Sequence, residues 1–157
     1  MSEQLTAQAR KRIKELAGRY PQARAATLPA LWVAQRELGW ISDQTCCEVA
    51  DALGVQPSHV LGVATFYTMF NREPVGRYLI QVCSTLSCSL MGAQSVVGYL
   101  ERKLGIQCGQ TTADGKFTLV KVECLASCGT APMMQINDDY HESLTEEKID
   151  AILEGLE

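Results

Sequence analysis

The chain has 157 residues and a mass of 17.2 kDa, room for one ordinary domain or two small ones. A 46% hydrophobic composition and a mean hydropathy of −0.02 suit a soluble globular protein with a core, and no apolar run approaches the ~18 residues of a membrane span. A net charge of −4 argues against a surface built to neutralise phosphates, so nucleic acid is not expected as a partner.

Taken in order, the segment from Leu5 to Phe70 reads as helices. Ile13, Leu16, Ala17 and Tyr20 recur at helical spacing until Pro21 stops the run. The cations Arg10, Lys11, Arg12, Lys14 and Arg19 in this stretch read as a solvated helix face. Leu28, Leu31, Trp32 and Leu38 share a second face, interrupted by Gln35, and Gly39 ends that element. A third helix is expected from Asp43 to Leu53, closed by Gly54, and a fourth from Pro57 through Phe70. Asn71-Arg-Glu-Pro-Val-Gly76 has the breakers and charges of a linker.

Beyond it the pattern becomes α/β. Tyr78–Val82 is a strand candidate leading to Cys83, and Leu90, Ala93, Val97, Leu100 and Leu104 form the stripe of an amphipathic helix that ends at Gly105. Asp114-Gly115 turns into a second strand, Phe117–Val122, which leads to Cys124. Met133–Ile136 and a return through Tyr140 flank an Asn137-Asp138-Asp139 turn. Thr145 caps a last helix with Glu146 and Glu147 in its first turn. The expected fold is α+β, with a helical bundle over residues 1–74 and a two-layer α/β domain over residues 75–157.

Four cysteines of the second half form two short pairs, Cys83-x4-Cys88 and Cys124-x3-Cys128, with 35 residues between the pairs. Each iron of a small cluster takes two thiolates beside its bridging sulfides, and loops of this length supply them without strain. Tetrahedral zinc also accepts four thiolates, but its loops are most often C-x2-C, and neither pair has that spacing. With seven cysteines, an odd number, and an N-terminus (Met1-Ser-Glu-Gln-Leu-Thr) lacking a basic region before an apolar stretch, the thiols are expected to stay reduced. A thioredoxin-type C-x-x-C and a haem-attaching C-x-x-C-H are both absent from the sequence. Spacing thus favours a cluster and leaves zinc as the rival. Cys83 and Cys124 both follow strands, so adjacent strands would present them at one sheet edge. Backbone N–H groups there, with Ser84, Thr85, Ser87, Ser89 and Ser127, are available to donate to sulfur.

The run Gly62-Val-Ala-Thr-Phe-Tyr-Thr-Met-Phe70, the C-x4-C with Gly92 after it, Thr112-Ala-Asp-Gly-Lys-Phe117, and Val122-Glu-Cys-Leu-Ala-Ser-Cys128 with Ala131-Pro132 beyond together resemble the NuoE-type subunit family. These are the small 2Fe–2S subunits of the NADH-dehydrogenase module of respiratory complex I, the NADH:quinone oxidoreductase of the respiratory chain. The resemblance covers nearly the whole chain. It implies a thioredoxin-like ferredoxin domain behind an N-terminal helical bundle, and one 2Fe–2S cluster on Cys83, Cys88, Cys124 and Cys128. The implied partner is a flavin-bearing, NADH-oxidising subunit (NuoF-type) whose FMN lies near this cluster. The implied location is cytoplasmic, in the peripheral arm of a membrane-bound complex, without direct membrane insertion. The equivalent subunit of a soluble NAD-linked formate dehydrogenase or hydrogenase is the alternative, and a zinc-stabilised interaction module a more distant one.

The remaining chemistry is negative. Cys46, Cys47 and Cys108 fall outside the pattern and read as small buried hydrophobes. Val49–Val60 imitates a DNA-binding helix-turn-helix, yet Ala52 to Asn71 contains no Lys or Arg to meet a groove. No G-x-G-x-x-G or P-loop is present, and His59 and His141 have no nearby carboxylate arrangement that reads as a catalytic dyad. No catalytic residue is expected on this chain. Its part in an oxidoreductase is to carry electrons, and NADH belongs to the partner.

Overall fold

A computed structural model describes residues 4–156. The chain forms two compact units that divide between Pro74 and Val75; residues 1–3 and 157, the outer ends of the two expected segments, lie outside the described residues.

The first unit is helical: α1 (Ala7–Ala17), a 3-10 turn (Ala23–Ala26), α2 (Thr27–Leu38), α3 (Asp43–Leu53) and α4 (Pro57–Phe66). Thr6 caps α1 and Ser42 caps α3 by accepting main-chain N–H bonds, while Gly39 and Gly54 end α2 and α3 in the left-handed conformation that glycine adopts without strain. Ile13, Leu31, Ile41, Val49 and Val60 are fully buried in the shared core. Two departures from the sequence pattern occur here. Gln35, expected to interrupt the apolar face of α2, is itself buried, with Nε2 donating to the Met69 carbonyl at 2.9 Å and Oε1 accepting from the Asn71 N–H at 2.7 Å. The fourth helix stops at Phe66, and Tyr67 is extended (φ −92°, ψ 111°). The chain then turns so that Phe70 is buried against Trp32, ring centroids 5.6 Å apart.

The second unit is built on a four-stranded mixed sheet of order β2-β1-β3-β4: β1 (Tyr78–Cys83), β2 (Phe117–Val122), β3 (Met134–Ile136) and β4 (Asp139–His141). β1 and β2 are parallel and in register from Tyr78 opposite Phe117 to Cys83 opposite Val122, whereas β3 and β4 are antiparallel additions. A parallel pair needs a crossover, supplied by α5 (Leu86–Leu90) and α6 (Ala93–Leu104). Gly76 lets β1 start against β2, since a Cβ there would come within 2.9 Å of the Phe117 main chain. Tyr78, Ile80 and Val82 alternate onto the face that packs with Val97 and Leu100 of α6 and Ile149 of α7 (Glu146–Glu154). The result is an α+β protein, a helical bundle followed by an α/β unit with a mixed four-stranded sheet.

The stripe from Leu90 to Leu104 is not one helix. Gly92 (φ 93°) breaks it, and Leu90, its first member, is exposed on α5. Cys88 sits inside α5, apart from the longer helix.

Candidate iron–sulfur centre

Parallel pairing carries the ends of β1 and β2 to the same edge. Cys83 is the last residue of β1, and Cys124 lies just past Val122 at the end of β2. Cys88 returns to this edge on α5, and Cys128 begins a short 3-10 turn, Cys128–Thr130. The sulfurs of Cys124 and Cys128 are 3.9 Å apart. Two thiolates sharing one tetrahedral metal stand about 3.8 Å apart, given metal–sulfur bonds of about 2.3 Å. The pair therefore has chelating geometry. Cys83 and Cys88 form the other pair, close enough to hydrogen bond thiol to thiol. Among the described residues no three His, Cys, Asp or Glu side chains converge on one ion position. The cysteines come together as two close pairs, Cys83 with Cys88 and Cys124 with Cys128.

The two pairs differ in environment. Cys83 and Cys88 are buried beside Ala93 and Met133, whereas Cys124 and Cys128 are exposed. Burial pushes the Cys83 thiol up, but hydrogen bonds from the Thr85 hydroxyl and from the main chain at Leu125 and Thr85 outweigh it and bring it below the ordinary thiol value. Cys88 is raised by burial and by the neighbouring Cys83 thiol. Cys124 is lowered, first by the Ala126 N–H and then by Cys128 and Thr85. The Ala126 N–H lies 3.3 Å from the Cys124 sulfur, and Ala126 adopts φ 65°, a conformation that alanine rarely takes. Such donors stabilise thiolate charge and hence a bound anionic cluster.

Of the expected hydroxyl donors, Thr85 reaches sulfur, 3.4 Å from Cys83. Ser84 donates instead to the Val122 carbonyl, and Ser127 to Glu142. The loop from Cys124 to Thr130 is gripped from β4 and the residue after it. Tyr140 donates to the Leu125 carbonyl at 2.8 Å, and Thr130 donates to Glu142 at 2.8 Å. Sequence reasoning missed Tyr140 and Glu142, for nothing local marks either.

The other cysteines have different surroundings. All seven are free thiols. Cys46 is buried in α3 with the Arg72 guanidinium 3.4 Å from its sulfur; burial raises its thiol and Arg72 opposes that. Cys47 is half-buried on the same helix, and Cys108 packs against the core of the second unit. His59 lies 3.2 Å from the Thr27 hydroxyl, a local polar contact, and His141 ends β4 opposite Met134.

The model of the thioredoxin-like 2Fe-2S ferredoxin family matches residues 13–157. The chain belongs to that family. An NADH-quinone oxidoreductase subunit of Rhizobium meliloti (strain 1021) is 48% identical over 93% of this chain and 87% of its own length. Subunit 2 of the enzyme of the same name from Thermus thermophilus is 45% identical over 92% and 81%, and the matching subunit from Escherichia coli (strain K12) is 42% identical over 96% and 91%. Among solved structures, an NAD+-reducing NiFe-hydrogenase in its air-oxidized state is similar with a TM-score of 0.72 and 28% identity over 83% of this chain. This chain spans only 22% of that hydrogenase chain. Among the described residues no helix is long and apolar enough to cross a membrane.

Proposed function

We propose that this protein is the electron-transfer subunit of the NADH-dehydrogenase module of an NADH:quinone oxidoreductase, with its 1–74 bundle and 75–157 cluster unit as its two domains. Cys83, Cys88, Cys124 and Cys128 hold one 2Fe–2S cluster, which accepts and returns single electrons. FMN and NADH reside on a NuoF-type partner subunit in the cytoplasmic, peripheral arm of the complex. The observation that carries this reading is the pairing of thiols at one sheet edge. One pair is buried and well supplied with donors, which holds the cluster in place. The other is exposed, so electrons have a short route to a docked partner. The chain's own residues bind the cluster, supply N–H and hydroxyl donors to its ligands, and keep water from its inner half.

The similarity to the NAD+-reducing hydrogenase supports a second reading, in which the same unit serves a soluble NAD-linked hydrogenase or formate dehydrogenase. The two readings share the cluster and the flavin partner and differ in the complex around them, which affinity purification from the native cell distinguishes. The cluster itself is tested by anaerobic purification from that host. The expected product is red-brown, with about two iron and two sulfide per chain. It is silent in electron paramagnetic resonance when oxidised and gives one signal from a single unpaired electron when reduced. Stoichiometric zinc without iron overturns the proposal.

A further inference from the structure

The exposed half of the four-cysteine set sits on a loop with no strand or long helix to hold it, and such loops are mobile unless tied down. Here the tie is specific. The Glu142 carboxylate accepts from the Ser127 hydroxyl and from the Thr130 hydroxyl, the latter at 2.8 Å. The Thr130 main-chain N–H donates to the Ser127 carbonyl at 3.3 Å, closing the loop on itself. Glu142 directly follows β4, which pairs with β3, which pairs with β1, whose last residue is Cys83. The sheet thus links the buried thiol pair to the brace on the exposed one. Glu142 is also a half-buried charge, and the Ser127 that donates to it adjoins Cys128 in the chain. Lys148 donates to the Glu142 carbonyl, not to its carboxylate. A cluster gains a negative charge on reduction, and cluster potentials respond to nearby charge.

We infer that Glu142 is a positioning residue for the cluster, which braces the Cys124–Cys128 loop through Ser127 and Thr130 and, by its charge, lowers the reduction potential. This rests on the ligand set proposed above. The test uses the whole cluster-loaded chain, with two readouts: the midpoint potential from a redox titration followed by paramagnetic resonance, and the rate of iron loss to a chelator. Glu142→Gln keeps an acceptor oxygen and removes the charge. Its reduction equilibrium is expected to shift about tenfold toward the reduced form, about 59 mV for one electron, with iron loss near the wild-type rate. Glu142→Ala removes brace and charge, so iron loss is expected to be about tenfold faster or more. Thr130→Val, which removes a donor and no charge, should speed iron loss at unchanged potential, and it serves if the alanine variant does not fold. An unchanged potential in Glu142→Gln, or wild-type iron retention in both Glu142→Ala and Thr130→Val, overturns the inference. A wild-type chain that holds no iron and sulfide instead overturns the ligand set beneath it.

Discussion

Sulfur environment separates the cysteines of this chain into two kinds. Cys83 and Cys124 accept N–H and hydroxyl bonds at a sheet edge, while Cys46 is buried on α3 beside the Arg72 guanidinium. Replacing Cys124 or Cys128 with Ser should therefore lose or weaken the cluster, because an alkoxide matches iron more poorly than a thiolate in such a site. The triple change of Cys46, Cys47 and Cys108 to Ser should leave the iron content and the paramagnetic signal intact, at a stability cost of about 1–3 kcal/mol from burying hydroxyls. Iron assay and thermal unfolding of both sets check this; a triple variant that loses iron while Cys128→Ser keeps it would refute the assignment. The four proposed ligands could be read from spacing because each pair is local in sequence. The supports of those ligands could not. Glu142 reaches Ser127 across 15 residues and Tyr140 reaches Leu125 across 15, contacts that only the paired strands create. Ala126 left no signal either, since its left-handed φ is the kind that glycine or asparagine would have announced.

At the scale of elements, periodicity and turn signals located the long helices and the strands, and features outside the apolar pattern decided where two of the helices break. The apolar run from Val60 to Phe70 looks like one helix, yet it closes at Phe66 because Gln35 captures the main chain at Met69 and Asn71 and Phe70 folds in against Trp32. Similarly, the spacing of Leu90 with Ala93 continues a helical stripe while Gly92 breaks the backbone between them. In both places the pattern recorded which residues are apolar and not the hydrogen bond or dihedral that redirects the chain. Gln35 is the more consequential of the two. Gln35→Leu keeps much of the volume but strips the partly buried Met69 carbonyl and Asn71 N–H of their side-chain partner, which costs about 1 kcal/mol. The expected result is a lower urea midpoint with unchanged slope and a cluster signal like the wild type's. A midpoint equal to the wild type's would show that water or rearrangement satisfies the 69–71 turn without this side chain.

For the whole molecule, the relatives of this chain are subunits of larger NADH-quinone oxidoreductases. This chain has no G-x-G-x-x-G or P-loop, so the lone polypeptide is expected neither to bind NADH tightly nor to oxidise it. On the helical unit, Phe66 is 76% exposed and Leu61, Tyr67 and Met69 are exposed with it; on the second unit, α5 presents Leu86 and Leu90 at 75% and 78% exposure. Exposed large apolar groups of this kind are characteristic of surfaces that another chain covers. A flavin-bearing subunit is the partner this reading requires, and an obligate contact of this sort buries a large, partly apolar area. Phe66→Asp should weaken assembly with that subunit by about 2 kcal/mol or more, as central aromatic anchors do. The cluster of the isolated variant should keep its iron content and signal, because Phe66 belongs to the helical unit and the cysteines to the other. Co-expression with the flavin subunit and measurement of retained complex, beside calorimetric titration of the lone chain with NADH, makes the comparison. Undiminished co-purification of the Phe66 variant would exclude that residue from the interface, and tight NADH binding by the lone chain would contradict the division of labour between the two subunits.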